Sequence, residues 1–118
     1  MTTASLPKLR SVGANLTAGV SNTIYTCPNN YTSKVVLLLL SNGTSGNKTV
    51  TLEWHDNSTA LAYSITSGYV LTSHNFLIFN QSYLILNSGD YITATPEAGS
   101  TMSALLTVEE YFDPANKE

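Results

Sequence analysis

The chain has 118 residues, of which 42% are hydrophobic and only 11% charged, with a formal net charge of −3. Soluble proteins carry about a quarter charged residues; here 14 Ser, 16 Thr and 11 Asn supply the polarity instead. Five scattered cations (Lys8, Arg10, Lys34, Lys48 and Lys117) leave no basic patch for nucleic acid, the low net charge with ample apolar content disfavours disorder, and the Ser/Thr/Asn excess works against a helix bundle.

Residues 1–13 carry no clear hydrophobic pattern and include Pro7, so they are expected to form an extended arm, and the first ten residues lack the apolar stretch of a secretory signal. Asn22–Cys27 is a short apolar run that Pro28-Asn29-Asn30 ends as a turn. Val35–Leu40 follows without alternation. It is far shorter than the roughly 20 residues of a membrane span and reads as a strand covered on both faces or lying at a subunit contact. After the turn residues Ser41 to Asn47, the stretch Thr49–His55 places Val50, Leu52 and Trp54 on one face and Thr49, Thr51, Glu53 and His55 on the other. That period of two is a half-buried strand, with Trp54 on the core side.

Leu61, Tyr63 and Ile65 alternate in the same way with Ala60, Ala62 and Ser64. Phe76–Phe79, Tyr83–Leu86 and Tyr91–Thr95 are further short runs, separated by Asn87-Ser88-Gly89-Asp90 and followed by the turn residues Pro96 to Ser100. Met102, Ala104, Leu106 and Val108 then line one face, against Ser103, Leu105, Thr107 and Glu109. Residues 113–118 form a polar tail. The pattern predicts one all-β domain, an antiparallel β-sandwich of jelly-roll or immunoglobulin-like type with about eight strands.

Chemistry-bearing constellations are sparse. Cys27 is the one cysteine, has no neighbouring base and reads as packing rather than as a nucleophile. Glu53 and His55 share a strand face with Asp56 beyond, but two ligands do not make a metal site, and no metal or cofactor is expected. A Glu53/Glu97 carboxylate pair is open for glycoside hydrolysis, although nothing specific supports it. No nucleophile elbow or phosphate loop occurs, so no catalytic residues are assigned and an enzyme is not expected. Six Asn-x-Ser/Thr sequons (Asn15, Asn30, Asn42, Asn47, Asn57 and Asn80) follow from the composition. Tyr31 and Tyr69 sit beside turns and are the candidate sugar contacts.

The stretch Ser21-Asn22-Thr23-Ile24-Tyr25-Thr26-Cys27-Pro28, the Val35–Leu40 run, Asn42 and Thr49–Trp54 resemble small β-sandwich virion proteins of tailed bacteriophages, especially those of marine and cyanobacterial hosts. The likeness continues in Leu86-Asn87-Ser88-Gly89-Asp90-Tyr91-Ile92 and Leu106–Glu110. Its most specific element is the pair I-Y-T-x-P and L-x-x-G-D-x-I. The resemblance implies a non-enzymatic structural subunit assembled in the host cytoplasm, either decorating the capsid or attached to the tail or its fibres. Its expected partners are the major capsid protein or tail components, together with copies of itself, a trimer being one form. Nucleic acid and membrane are not expected partners. The candidate subunit contacts are Val35, Leu37, Leu39, Leu105, Tyr111 and Phe112. A carbohydrate-binding or receptor-binding module using Tyr31 and Tyr69 is the alternative.

Overall fold

The computed structural model of the chain describes residues 6–80 and 84–114, and among these it forms no helix. Its strands are β1 (Lys8–Leu16), β2 (Asn22–Thr26), β3 (Tyr31–Asn42), β4 (Lys48–Asp56), β5 (Leu61–Leu71), β6 (Phe76–Phe79), β7 (Leu84–Leu86), β8 (Tyr91–Pro96) and β9 (Met102–Phe112). One sheet runs β1-β9-β3, with β6 and β7 sharing the far edge of β3; the other runs β2-β8-β4-β5. β6 borders Leu38–Ser41 and β7 borders Ser33–Val35, so the two short strands act as one interrupted edge strand. Every pairing is antiparallel.

Neighbours in space are thus distant in sequence: β1 pairs β9, β2 pairs β8, and β3 lies between β9 and the β6–β7 edge. This order is the jelly roll, and it decides between the two sandwich types that the strand pattern left open. Among the described residues the strands number nine rather than about eight because the interrupted edge counts twice.

The alternation read from the sequence is the alternation of burial. Met102, Ala104, Leu106 and Val108 of β9, Val50 and Leu52 of β4, and Ile92 and Ala94 of β8 are all buried in the core. Trp54 packs against that core half-buried, stacked on Tyr63 with ring centroids 5.3 Å apart. The Val35–Leu40 run is a strand, but not one buried on both faces. A bulge between Val35 and Leu37 shifts the parity, so Val35, Leu38 and Leu40 face inward while Leu37 and Leu39 are only half-buried. Such an extra residue breaks the period of two, which is why a continuous apolar run was all the sequence displayed.

Residues 8–13, expected in an arm, instead belong to β1, paired in register from Lys8↔Glu110 to Leu16↔Met102. Lys8, Arg10 and Gly13 hide the pattern, and β9 supplies the backbone partners that hold the strand. The rest of the expected arm, residues 1–5, and the tail end, residues 115–118, lie outside the described residues, as does Tyr83.

At one end of the sandwich the two most specific sequence fragments meet. The Cys27 N–H donates to the Asp90 carbonyl (2.8 Å), and the Gly89 N–H donates to the Cys27 carbonyl (3.0 Å). The Asn30 N–H donates to Ser88 Oγ (2.7 Å), whose hydroxyl donates to the Pro28 carbonyl (3.2 Å). The buried Asp90 carboxylate then collects the Asn57 N–H (2.8 Å), the Asn87 N–H (3.0 Å) and, more weakly, Trp54 Nε1 (3.4 Å). Gly89 is required there, with φ +86° and with space where a Cβ would approach Asn57 Nδ2 to 2.6 Å. At the other end, buried Asn42 plays the matching part. Its amide donates to the carbonyls of Leu71 (3.0 Å), Gly46 (3.1 Å) and Thr72 (3.2 Å), and its oxygen accepts the Thr44 N–H (2.9 Å).

Candidate interaction surface

The two sheets present unlike outer faces, and register determines why. Along β9 the residues between the core positions, Ser103, Leu105, Thr107 and Glu109, point away from the sandwich. Their cross-strand partners share that face: Asn15, Gly13, Ser11 and Leu9 on β1, and Ser41, Leu39, Leu37 and Lys34 on β3. The edge strands add Phe76 and Ile78 from β6, opposite Ser41 and Leu39, and Ile85 from β7, opposite Lys34. Leu105 is 41% exposed, Phe76 57%, Ile78 40% and Ile85 43%. Large apolar side chains therefore stand in solvent on β9, β6 and β7 and, with Leu9, at the start of β1, while Leu37 and Leu39 of β3 are half-buried. A depression of about 350 Å³ opens beside Gly13, spanning β1, β9 and β3 and lined by Asn15, Ser103, Leu105, Leu39 and Ser41. Exposed apolar side chains gathered on one face are typical of interaction sites.

The outer face of the four-stranded sheet is mostly polar and internally bonded, with Val70 of β5 exposed on it opposite Thr49. His55 stacks on Tyr91 (4.3 Å, 10° between planes), and its Nε2 lies 3.0 Å from Thr93 Oγ1 and 3.5 Å from Glu53 Oε1. Asp56 turns away to accept the N–H and hydroxyl of Ser58 (3.0 and 2.8 Å), bonds that hold its carboxyl below the usual carboxylate range. Among the described residues no three His, Cys, Asp or Glu side chains gather. Glu53 and Glu97 do not face each other either. Glu53 pairs with Thr93, four residues before Glu97, or about 13 Å of strand. That exceeds the roughly 5–9.5 Å that glycosidase carboxylates require. Glu97 instead accepts the Thr49 N–H at 2.9 Å, the main cause of its lowered pKa, with Lys48 Nζ at 3.8 Å adding to it.

Cys27 is buried, and desolvation pushes its thiol up. It belongs to a polar chain linking the two sheets. The Ser33 hydroxyl donates to Cys27 Sγ (3.2 Å) and lies 2.7 Å from the Tyr25 hydroxyl, which donates to Glu110 Oε2 (2.5 Å). Burial, with Glu110 as hydrogen-bond acceptor, raises the Tyr25 pKa, and Arg10 Nη1 closes the chain 3.6 Å from Glu110. Each group here is matched to another by hydrogen bond or charge, which suits a structural tie rather than an activated nucleophile. A cleft beside it, between the Thr26–Asn29, Asn57 and Ser88–Gly89 segments, measures about 660 Å³.

Of the candidate contacts, Leu37, Leu39 and Leu105 fall together on the apolar face. Val35 does not: it is 6% exposed and packed in the core on the other side of the bulge. Tyr111 and Phe112 lie at the exposed end of β9, Tyr111 donating to Glu109 Oε1 (2.6 Å). Phe112 meets Tyr31 edge to face at 5.5 Å, which makes Tyr31 half-buried packing rather than an open platform. Tyr69 is exposed, but it lies on β5 of the other sheet, beside Val50, toward the opposite end. The two tyrosines therefore make no common sugar site. Leu9, Gly13, Phe76, Ile78 and Ile85 were not singled out in the sequence. Their single signal was Phe76/Ile78 alternating with Leu77/Phe79, and without register it does not say which pair faces out.

No family model matches the chain, and no curated protein does. Solved structures do. The chain is similar to one from the acid-stable capsid of Helicobacter pylori bacteriophage KHP30, with a TM-score of 0.54 at 15% identity over 96% of this chain and 92% of that one. A chain from the disulfide-linked pili of Bacillus endospore appendages gives 0.56 at 10% identity, covering 95% and 92%. The infectious bursal disease virus VP2 subviral particle gives 0.54 at 12% identity; there 98% of this chain spans 35% of the other. The shared property is the fold.

Proposed function

We propose that the protein is a non-enzymatic structural subunit of a bacteriophage virion, in the manner of a capsid decoration or cement protein on the particle surface. The observation that carries this reading is a jelly roll whose one sheet exposes an apolar, charge-poor outer face. The phage capsid chain to which it is similar has nearly the same extent, so the whole domain, rather than an inserted part, has a counterpart there. A surface with few like charges permits many copies to sit close together, and weak contacts add over many copies. The pilus chain of similar fold comes from disulfide-linked pili. The one cysteine here, Cys27, is buried and engaged in hydrogen bonds, so covalent linkage of copies is not available to this sequence without unfolding.

Quantitative mass spectrometry of purified particles from the source lysate tests the proposal. A fixed copy number in proportion to the major capsid protein supports capsid decoration. A low number confined to one vertex places the protein on the tail and overturns the decoration role. Absence from particles overturns the virion role altogether. Saturable binding on a glycan array, lost with Tyr69→Ala, supports the receptor-binding alternative.

A further inference from the structure

We propose that the outer face of the five-stranded sheet is a two-fold interface between copies of this chain, with Gly13 as the socket and Ile78 as the knob. The inference concerns the purified chain and does not depend on the virion reading. Two rows of residues across the sheet carry it. The first row is Gly13, Leu105, Leu39, Ile78, from β1 through β9 and β3 to β6. The second is Leu9, Glu109, Lys34, Ile85, ending on β7.

Two such faces can stack about a two-fold axis parallel to the strands. That rotation reverses the strand order, so the first member of each row meets the fourth of the other copy and the second meets the third. Ile78 of each copy then stands over the depression at Gly13 of the other, and Leu105 meets Leu39. In the second row Leu9 meets Ile85, and Glu109 meets Lys34 of the other copy. Both rows are complementary under this one operation: void to bulk in the first, negative to positive in the second. A two-fold axis across the strands sets Gly13 over Gly13 where it crosses the first row and charge over like charge where it crosses the second; midway between them it brings Leu9 to Gly13 but lays Glu109 on Leu105 and Lys34 on Leu39, charge against apolar side chain. Face-to-face sheets pack within about 30° of alignment. The first row, as the pivot, tolerates that angle, and the long Glu109 and Lys34 side chains of the second span the offset it creates. A flat face stacks on one other face, so the geometry gives a dimer rather than the trimer that the family resemblance allows.

The area sets the strength. Four strands at about 4.8 Å and residues 103–109 at about 3.3 Å per residue give roughly 19 by 23 Å, or about 900 Å² for both copies together. Stable interfaces begin at about 1,000 Å². The dimer is accordingly a weak, reversible one.

The test is sedimentation equilibrium of the full chain over a concentration series, with Gly13→Leu as the variant. A Cβ on Gly13 meets nothing nearer than Leu105 Cδ1 at 3.9 Å, and its φ is not left-handed, so the monomer accepts the side chain. The wild type is expected to dimerise. Gly13→Leu is expected to raise the dissociation constant about tenfold or more by filling both sockets, and Ile78→Ala added to it is expected to recover part of the loss. As an independent arm, Lys34→Glu and Glu109→Lys proteins are each expected to be monomeric alone and to form a heterodimer when mixed. Circular dichroism melts confirm that each variant is folded. A wild type that stays monomeric at high concentration overturns the proposal, as does a trimer, an unchanged constant in folded Gly13→Leu, or no heterodimer in the mixture.

Discussion

Replacing Asp90 with Ala tests how far the fold depends on the meeting of its two turns. The substitution leaves the N–H groups of Asn57 and Asn87 without their acceptor, and it frees Trp54 Nε1 from a longer contact. A hydrogen bond to a carboxylate contributes about 1.5 kcal/mol or more, and a donor left unsatisfied costs about 1–3 kcal/mol. Asn57 is exposed and Asn87 half-exposed, so water re-solvates these donors in part. About 3 kcal/mol is the expected net loss. With an unfolding entropy of about 2.1 cal/mol/K per residue, that loss lowers the melting temperature by roughly 12 °C. Urea denaturation of dilute protein is the assay, read as a fall in midpoint at constant slope. Asp90→Asn preserves shape and one acceptor but turns an NH₂ toward a donor, so it is expected to lose more than half as much. A loss under about 1 kcal/mol for Asp90→Ala, or an Asp90→Asn protein as stable as the wild type, refutes the assignment of the carboxylate as the tie.

Three further outcomes follow from the same geometry. Gly89→Ala meets both a left-handed φ and Asn57 Nδ2 at 2.6 Å, and is expected to cost about 1–3 kcal/mol in urea melts, whereas Gly46→Ala, with open space around it, stays near wild type. Burial pushes the Cys27 thiol up, so a thiol reagent near neutral pH labels native protein slowly and unfolded protein promptly; prompt labelling of the native state contradicts the burial. The Thr49 N–H holds the Glu97 carboxyl below its unfolded pKa, so its stabilisation is present above about pH 4.3 and is lost as pH falls through the folded value. Glu97→Gln is therefore expected to be less stable than the wild type near neutral pH and to converge with it in acid, and a gap that persists in acid excludes the linkage.

Legibility followed the strand period. Thr49–His55 and Met102–Glu109 alternate cleanly because each lies in a sheet with one face on the core, and the structure buries the residues so identified. β1 was illegible because Lys8 and Arg10 precede Val12, Ala14 and Leu16 on its core side, leaving a short apolar set, and its backbone partner β9 lies some ninety residues away in sequence. Val35–Leu40 was legible as a strand but not in its facing, since the bulge at Val36 leaves no trace in an all-apolar run. Asp90 could be read as a turn residue from Gly89-Asp90 alone, yet its bond to the Asn57 N–H crosses between hairpins and needed the fold. The apolar face depends on register across four strands, and no local pattern brings Gly13, Leu105, Leu39 and Ile78 together. Turn proximity misplaced Tyr31 for a similar reason: Phe112, eighty-one positions later, covers its ring.

The position of β9 between β1 and β3 has a consequence for how the chain comes into being. At about 5–20 residues per second, a ribosome that has finished β1 needs roughly ten seconds more to reach the strand that joins it to β3. Throughout that interval the five-stranded sheet lacks its middle, and its inner and outer apolar surfaces are open on a nascent chain. Folding is therefore a late event, paced by non-local pairing rather than by the order of synthesis. A ribosome halted before residue 102 would yield a chain whose early strands have no closing partner, so protection of the growing polypeptide bears directly on how much protein a cell obtains.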